Sequence, residues 1–120
     1  MNFGGHVMDL TQSERDGILV VELHETRLES ANADSFKTRL LESITGGHER
    51  IALDLSRLDF LDSSGLAALI SGLKALQGKG EIVLCGVQEK IMKIFRITKL
   101  DRGVFRFFPD TEIAAAALSE

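Results

Sequence analysis

The spacing of apolar positions changes period several times along the chain, and each change marks an element. "HVMDLTQSERDGILVVELHE" holds two apolar runs around a polar turn. Asp and Gly tolerate positive φ, so "RDG" reads as a hairpin connector between strands near His6 to Thr11 and Gly17 to Leu23. From Ser30 the period becomes helical, with Ala33, Phe36, Leu40, Leu41 and Ile44 on one side. Ser30 or Asn32 can cap this helix and Gly46-Gly47 can end it. "RIALDLS" alternates as a strand, and the connection from Arg57 to Leu61 leads to Asp62, a good N-cap. Leu66, Leu69, Ile70, Leu73 and Leu76 then form the stripe of a second helix that ends at Gly78. "EIVLC" is a short continuous apolar strand, expected to be buried on both faces. Val87, Ile91, Ile94 and Phe95 mark a third helix, "GVFRFF" a last strand, and Pro109-Asp110 the start of a terminal helix through "TEIAAAAL".

The predicted order is β, β, α, β, α, β, α, β, α. Strands alternating with helices imply parallel pairs, and the opening hairpin adds an antiparallel one. The expectation is therefore a single α/β domain over residues 1–120, with a mixed β-sheet of about five strands flanked by about four helices.

Composition narrows the function. The 120 residues suffice for one core, and 44% apolar with 27% charged residues is ordinary for a globular protein. The net charge of -4 and the absence of Trp and Tyr speak against nucleic-acid binding. No basic segment followed by an apolar run opens the chain, and no apolar stretch nears the roughly 20 residues that span a bilayer. A cytoplasmic protein is expected. Cys85, the single cysteine, allows no intrachain disulfide and no thiolate metal cluster, and reads as a small buried strand residue. No metal site and no cofactor are expected.

The chemistry concentrates in "DFLDSSGL", residues 59–66, where small polar groups join two core-forming segments. A serine-hydrolase elbow needs glycines two places either side of the nucleophile. Around Ser63 the pair is Leu61 and Gly65, and around Ser64 it is Asp62 and Leu66. A phosphate loop needs more glycine and a Lys-Ser or Lys-Thr pair, and Asp62 beside a phosphate would be unfavourable. No catalytic residue is assigned. The segment has two further readings: plain capping chemistry, or a hydroxyl displayed for phosphorylation at a helix start, where unpaired N–H groups and the helix dipole favour an anion. A phosphoryl group adds about -1.5 to -2 charges to a patch already holding Asp59 and Asp62. Against a partner carboxylate about 5 Å away, an effective dielectric near 20 gives roughly 3 kcal/mol per charge pair. That changes affinity about a hundredfold.

"IALDLSRLDFLDSSGLAALISGLKAL" closely resembles the central strand, loop and helix of STAS domains, the sulphate-transporter and anti-sigma-factor-antagonist family. The similarity runs from about Val7 to Leu118 and is most specific at Asp62 to Leu66. It implies a bacterial anti-sigma factor antagonist that is a binding module and not an enzyme. The unmodified form would bind an anti-sigma factor that is also a serine protein kinase, releasing the sigma factor. That kinase would phosphorylate Ser63, with Ser64 as secondary acceptor, and the complex would dissociate; a PP2C-type phosphatase would restore the hydroxyl. Asp62 would shape the acceptor loop and contact the partner, Ser64 would cap, and Gly65 would allow close approach of the kinase.

Family members carry a Gly-Glu-Leu-Asp-like turn after the second strand. Here the stretch is "HETRLESANA": the glycine is missing, Glu29 stands near the Asp position, and Arg27 adds a positive charge. The expected partner surface comprises Glu29, Asp59, Asp62, Ser63, Ser64 and Gly65. Glu29 equally reads as a solvated loop acid. Gly72 is expected to serve close packing, Asp54 to end a strand facing solvent, and Lys90, Lys93 and Arg96 to form the wet side of the third helix. The other reading the family leaves open is a scaffold subunit, in a lipid-transport or signalling complex, whose serine is not modified.

Overall fold

The computed structural model describes residues 8–119. Its elements are β1 (Leu10–Arg15), β2 (Ile18–Leu23), β3 (Arg27–Leu28), α1 (Ala33–Thr45), β4 (Arg50–Asp54), β5 (Phe60–Leu61), α2 (Ser63–Leu76), β6 (Glu81–Cys85), α3 (Glu89–Ile97), β7 (Arg106–Phe108) and α4 (Thr111–Leu118). The main sheet has five strands in the order β1-β2-β4-β6-β7, and a separate two-stranded sheet pairs β3 with β5. Only β1 and β2 are antiparallel; the remaining ladders are parallel.

Side-chain alternation along the inner strands divides the core in two. Leu19, Val21 and Leu23 of β2, Ile51 and Leu53 of β4, and Ile82 and Leu84 of β6 meet residues of α1, α2 and α3. The intervening Ile18, Val20, Ala52, Val83 and Cys85 meet Ala114, Ala115 and Leu118 of α4. This two-sided burial explains why "EIVLC" reads as a continuous apolar run: all but Glu81 of β6 are buried. Phe95 of α3 closes the larger core edge-on against Phe105 and Phe107, at centroid distances of 5.8 and 5.2 Å.

Two features differ from the sequence reading. The first strand runs from Leu10 to Arg15, later than expected; His6 and Val7 lie outside the described residues. Asp16 and Gly17, at φ 52° and 82°, form a tight turn that lets the polar "TQSER" pair with β2 up to Arg15↔Ile18. β1 is an edge strand whose side chains are largely exposed, so its apolar content was a poor guide. The second difference is the β3–β5 pair, which lies in what reads from sequence as loop. It is two residues per strand, too short for a periodic signal.

Gly72 behaves as expected: a Cβ there would stand 2.5 Å from Leu40 Cδ2 and 3.0 Å from Ile82 Cδ1, so its absence seats α2 between α1 and the sheet. Asp54 ends β4, half-buried, and its Oδ1 accepts from Ser56 N at 2.8 Å. Lys90, Lys93 and Arg96 are exposed on α3, with Arg96 paired to Glu89. No described helix is long and apolar enough to cross a membrane.

Candidate functional site

The site is built where β3 and β5 deliver the chain to the start of α2. In their parallel register Arg27 faces Phe60 and Leu28 faces Leu61. Leu28 and Leu61 point inward and are buried, while Arg27 and Phe60 share the outer side. Continuing the register brings Glu29 and Asp62 together just beyond the two strands. Asp59 N donates to Thr26 O at 2.8 Å, and Asp62 N to Leu28 O at 3.2 Å, closing the pair at both ends.

Asp62 is the N-cap of α2, as its position before the apolar stripe predicts. Its Oδ1 accepts from Gly65 N at 3.0 Å and its Oδ2 from Ser30 N at 3.1 Å. One carboxylate therefore ties the helix start to the loop after β3. These donors, Gly65 first and then Ser30 and Ser64, hold the Asp62 carboxyl below the ordinary aspartate range. Asp62 thus fixes the turn that leads into α2.

Ser63 and Ser64 open the first turn of α2. Ser63 is exposed, and its hydroxyl makes no hydrogen bond to another described residue. Capping is carried by Asp62 alone, so the capping role expected of Ser64 is filled by its neighbour. Ser64 is half-buried and lines a shallow groove with Ser30, Asp34, Lys37 and Ser71, floored by alanines of α1 and α2. Gly65 is buried. A Cβ on it would lie 2.5 Å from Leu28 O and 2.7 Å from Leu61 Cδ1, so the close approach it permits is that of β3 and β5 within the chain.

Glu29 is more than a solvated acid. Its carboxylate takes both arms of the Arg27 fork, from Nε at 2.8 Å and from Nη2 at 3.3 Å. The same guanidinium lies 4.0 Å over the Phe60 ring. The hydrogen bonds to Arg27 hold Glu29 below the usual carboxylate range, and those to Glu29 raise Arg27 in turn. Asp59 is exposed and contributes to the field at Arg27. Glu29, Asp59 and Asp62 therefore gather around Arg27, and the exposed Ser63 follows Asp62 in the chain.

Two residues that build this surface take roles the sequence did not give. Asn32 is buried and occupies the N-cap position of α1 without capping it. Instead its Oδ1 accepts from Glu29 N at 2.9 Å and its Nδ2 donates to Arg27 O at 2.8 Å, bracing the loop from inside. Asn is a turn former for this reason, so its type is a clue although its target is not. Phe60, 39% exposed, is an aromatic platform whose role appears only once β3 is placed beside β5.

Cys85 lies far from this chemistry in function: it is fully buried in β6, and burial, with the charges of Asp54 and Asp110, pushes its thiol up to about 12. Among the described residues no group of three or more His, Cys, Asp or Glu side chains is disposed to hold a metal ion.

The STAS domain family model matches residues 10–114. The chain is 36% identical over 114 residues to BtrV of Bordetella bronchiseptica, a protein named for an anti-sigma factor antagonist role, covering 92% of this chain and 94% of that one. It is 27% identical over 115 residues to the anti-sigma F factor antagonist of Paenibacillus polymyxa, covering 94% of each. An anti-sigma factor antagonist from Mycobacterium paratuberculosis has the same fold, with a TM-score of 0.84 at 19% identity over 95% of this chain and 96% of that one. The chain belongs to the STAS domain family, and within it to the anti-sigma factor antagonist type, whose members are regulatory binding proteins and not enzymes.

Proposed function

We propose that this protein is a phosphorylation-controlled partner switch. The unmodified form binds an anti-sigma factor that is also a serine protein kinase. Transfer of the ATP γ-phosphoryl group to Ser63 Oγ then releases the complex, and a PP2C-type phosphatase hydrolyses the ester to reset it. The observation that supports this most is the division of labour at the start of α2. Asp62 satisfies the backbone, and the neighbouring Ser63 hydroxyl stays exposed and unbonded within the described chain.

A dianion can thus be added without taking any internal hydrogen bond away. It adds charge to a surface that already holds Asp59 and Asp62, and docking fails by repulsion with no rearrangement of the core. Glu29, Asp59, Asp62 and Ser63 form the partner-facing surface, and Gly65 serves it from beneath by seating α2 against β3. The action belongs to the cytoplasm of a bacterium.

The test is incubation with the cognate kinase and MgATP, read by intact mass and peptide mapping. A single phosphoryl group on Ser63, abolished in Ser63→Ala with no loss of stability, is the expected result. Label on Ser64 or elsewhere with Ser63 untouched contradicts the assignment.

A further inference from the structure

We propose that Arg27 is the internal ligand of the phosphorylated Ser63 side chain, exchanging Glu29 for the phosphomonoester when that group is present. The inference rests on the reading of Ser63 as the acceptor and adds a second half to the switch.

The placement comes from the small β3–β5 sheet. Arg27 and Phe60 are register partners on its outer side, and Ser63, three residues after Phe60, directly follows Asp62, whose charge reaches Arg27. The guanidinium rests on the Phe60 ring at 4.0 Å, which fixes its plane while leaving its donor edge to in-plane acceptors. Glu29 now occupies that edge, yet the Arg27 side chain is 51% exposed and the Glu29 side chain 29% exposed, so the pair can part without opening the core.

Charge favours the exchange. Glu29, Asp59 and Asp62 all act on Arg27. Among the described residues no salt bridge joins another cation to any of these acids. A phosphoryl group brings about -1.5 to -2 charges and three acceptor oxygens, against the single charge of Glu29. Asp62 cannot turn away from it, because both its oxygens are held by backbone N–H groups. A cation offsets the new dianion beside these acids, and a planar fork suits a phosphate bidentately. Modification then changes the surface twice: it adds a phosphate and it uncovers the Glu29 carboxylate.

Phosphoserine installed at position 63 during translation tests this without any kinase, so a failure of the kinase assay and a failure here are distinguishable. The phosphorus resonance is followed through a pH titration in the parent chain, in Arg27→Gln and in Arg27→Lys. A nearby cation favours the dianion, so Arg27→Gln is expected to raise the midpoint by about half a pH unit or more, with Arg27→Lys between the two. Superimposable titrations of the parent and Arg27→Gln chains, both folded by circular dichroism, overturn the proposal.

Discussion

Replacing Gly65 by alanine separates two physical accounts of the same residue. Helix propensity alone predicts a gain, because Gly costs up to about 1 kcal/mol relative to Ala inside a helix. The structure predicts a loss. The added Cβ would stand 2.5 Å from Leu28 O, 2.7 Å from Leu61 Cδ1 and 3.0 Å from the Leu28 carbonyl carbon. Two of these atoms are backbone of β3 and cannot swing aside, so α2 must lift from the small sheet. Lifting strains the Asp62 N–Leu28 O and Ser30 N–Asp62 Oδ2 bonds that hold the turn before α2. Overpacking of this kind costs about 1–3 kcal/mol. Because the clash is with backbone, the upper part of that range applies, about 2–3 kcal/mol; less the propensity gain, a net loss of about 1–2 kcal/mol is expected, or roughly 4–8 °C in Tm for a domain of this size. Gly72→Ala is the internal comparison, since its Cβ would meet the movable tips of Leu40 and Ile82. Urea unfolding of both variants at equal m-value decides the matter. A Gly65→Ala chain as stable as the parent, or less affected than Gly72→Ala, refutes the reasoning.

Asp62→Asn keeps an oxygen for Gly65 N but turns an N–H₂ group toward Ser30 N, so Tm at neutral pH is expected to fall by a few degrees. Asp62 is held below the ordinary aspartate value of 3.8 in the folded state. Its contribution is therefore complete above that value and lost as pH falls through the lower folded one. The Tm gap between parent and variant should accordingly close on the acid side only, as scanning calorimetry at stepped pH would show. Cys85 is buried with its thiol pushed up to about 12, so an aromatic disulfide reagent at pH 8 should label it only on unfolding. Labelling of the native protein within minutes would contradict that burial.

The fold was legible wherever burial leaves a period. α2 and β6 read correctly because each packs against elements that demand apolar positions at fixed intervals. α1 and α4 were bounded by punctuation: Gly47 at φ 109° after the first, and Asp110, which accepts from Ile113 N at 2.9 Å, before the second. β1 was misplaced because an edge strand of exposed polar residues pairs through backbone groups that side-chain pattern does not report. β3 and β5 were hidden by their length, two residues each, too short to show a period. Within the site, Asp62 and Ser63 were readable from local chemistry, since a cap and a first-turn hydroxyl are defined by neighbours in sequence. The Arg27–Glu29 fork was accessible in principle, as alternate residues of an extended segment share a side. Its stacking on Phe60 and the Ser30–Asp62 clasp span 33 and 32 positions of chain, and only the folded register brings those groups together.

The central claim is that one phosphoryl group on Ser63 ends docking by its charge. The most direct measurement is the affinity of the cognate anti-sigma factor for two forms of the protein, unmodified and carrying phosphoserine at position 63, titrated calorimetrically at physiological salt. The account predicts that modification weakens binding by about a hundredfold or more, in line with roughly 3 kcal/mol for one opposed charge pair. Equal affinities for the two forms would contradict it.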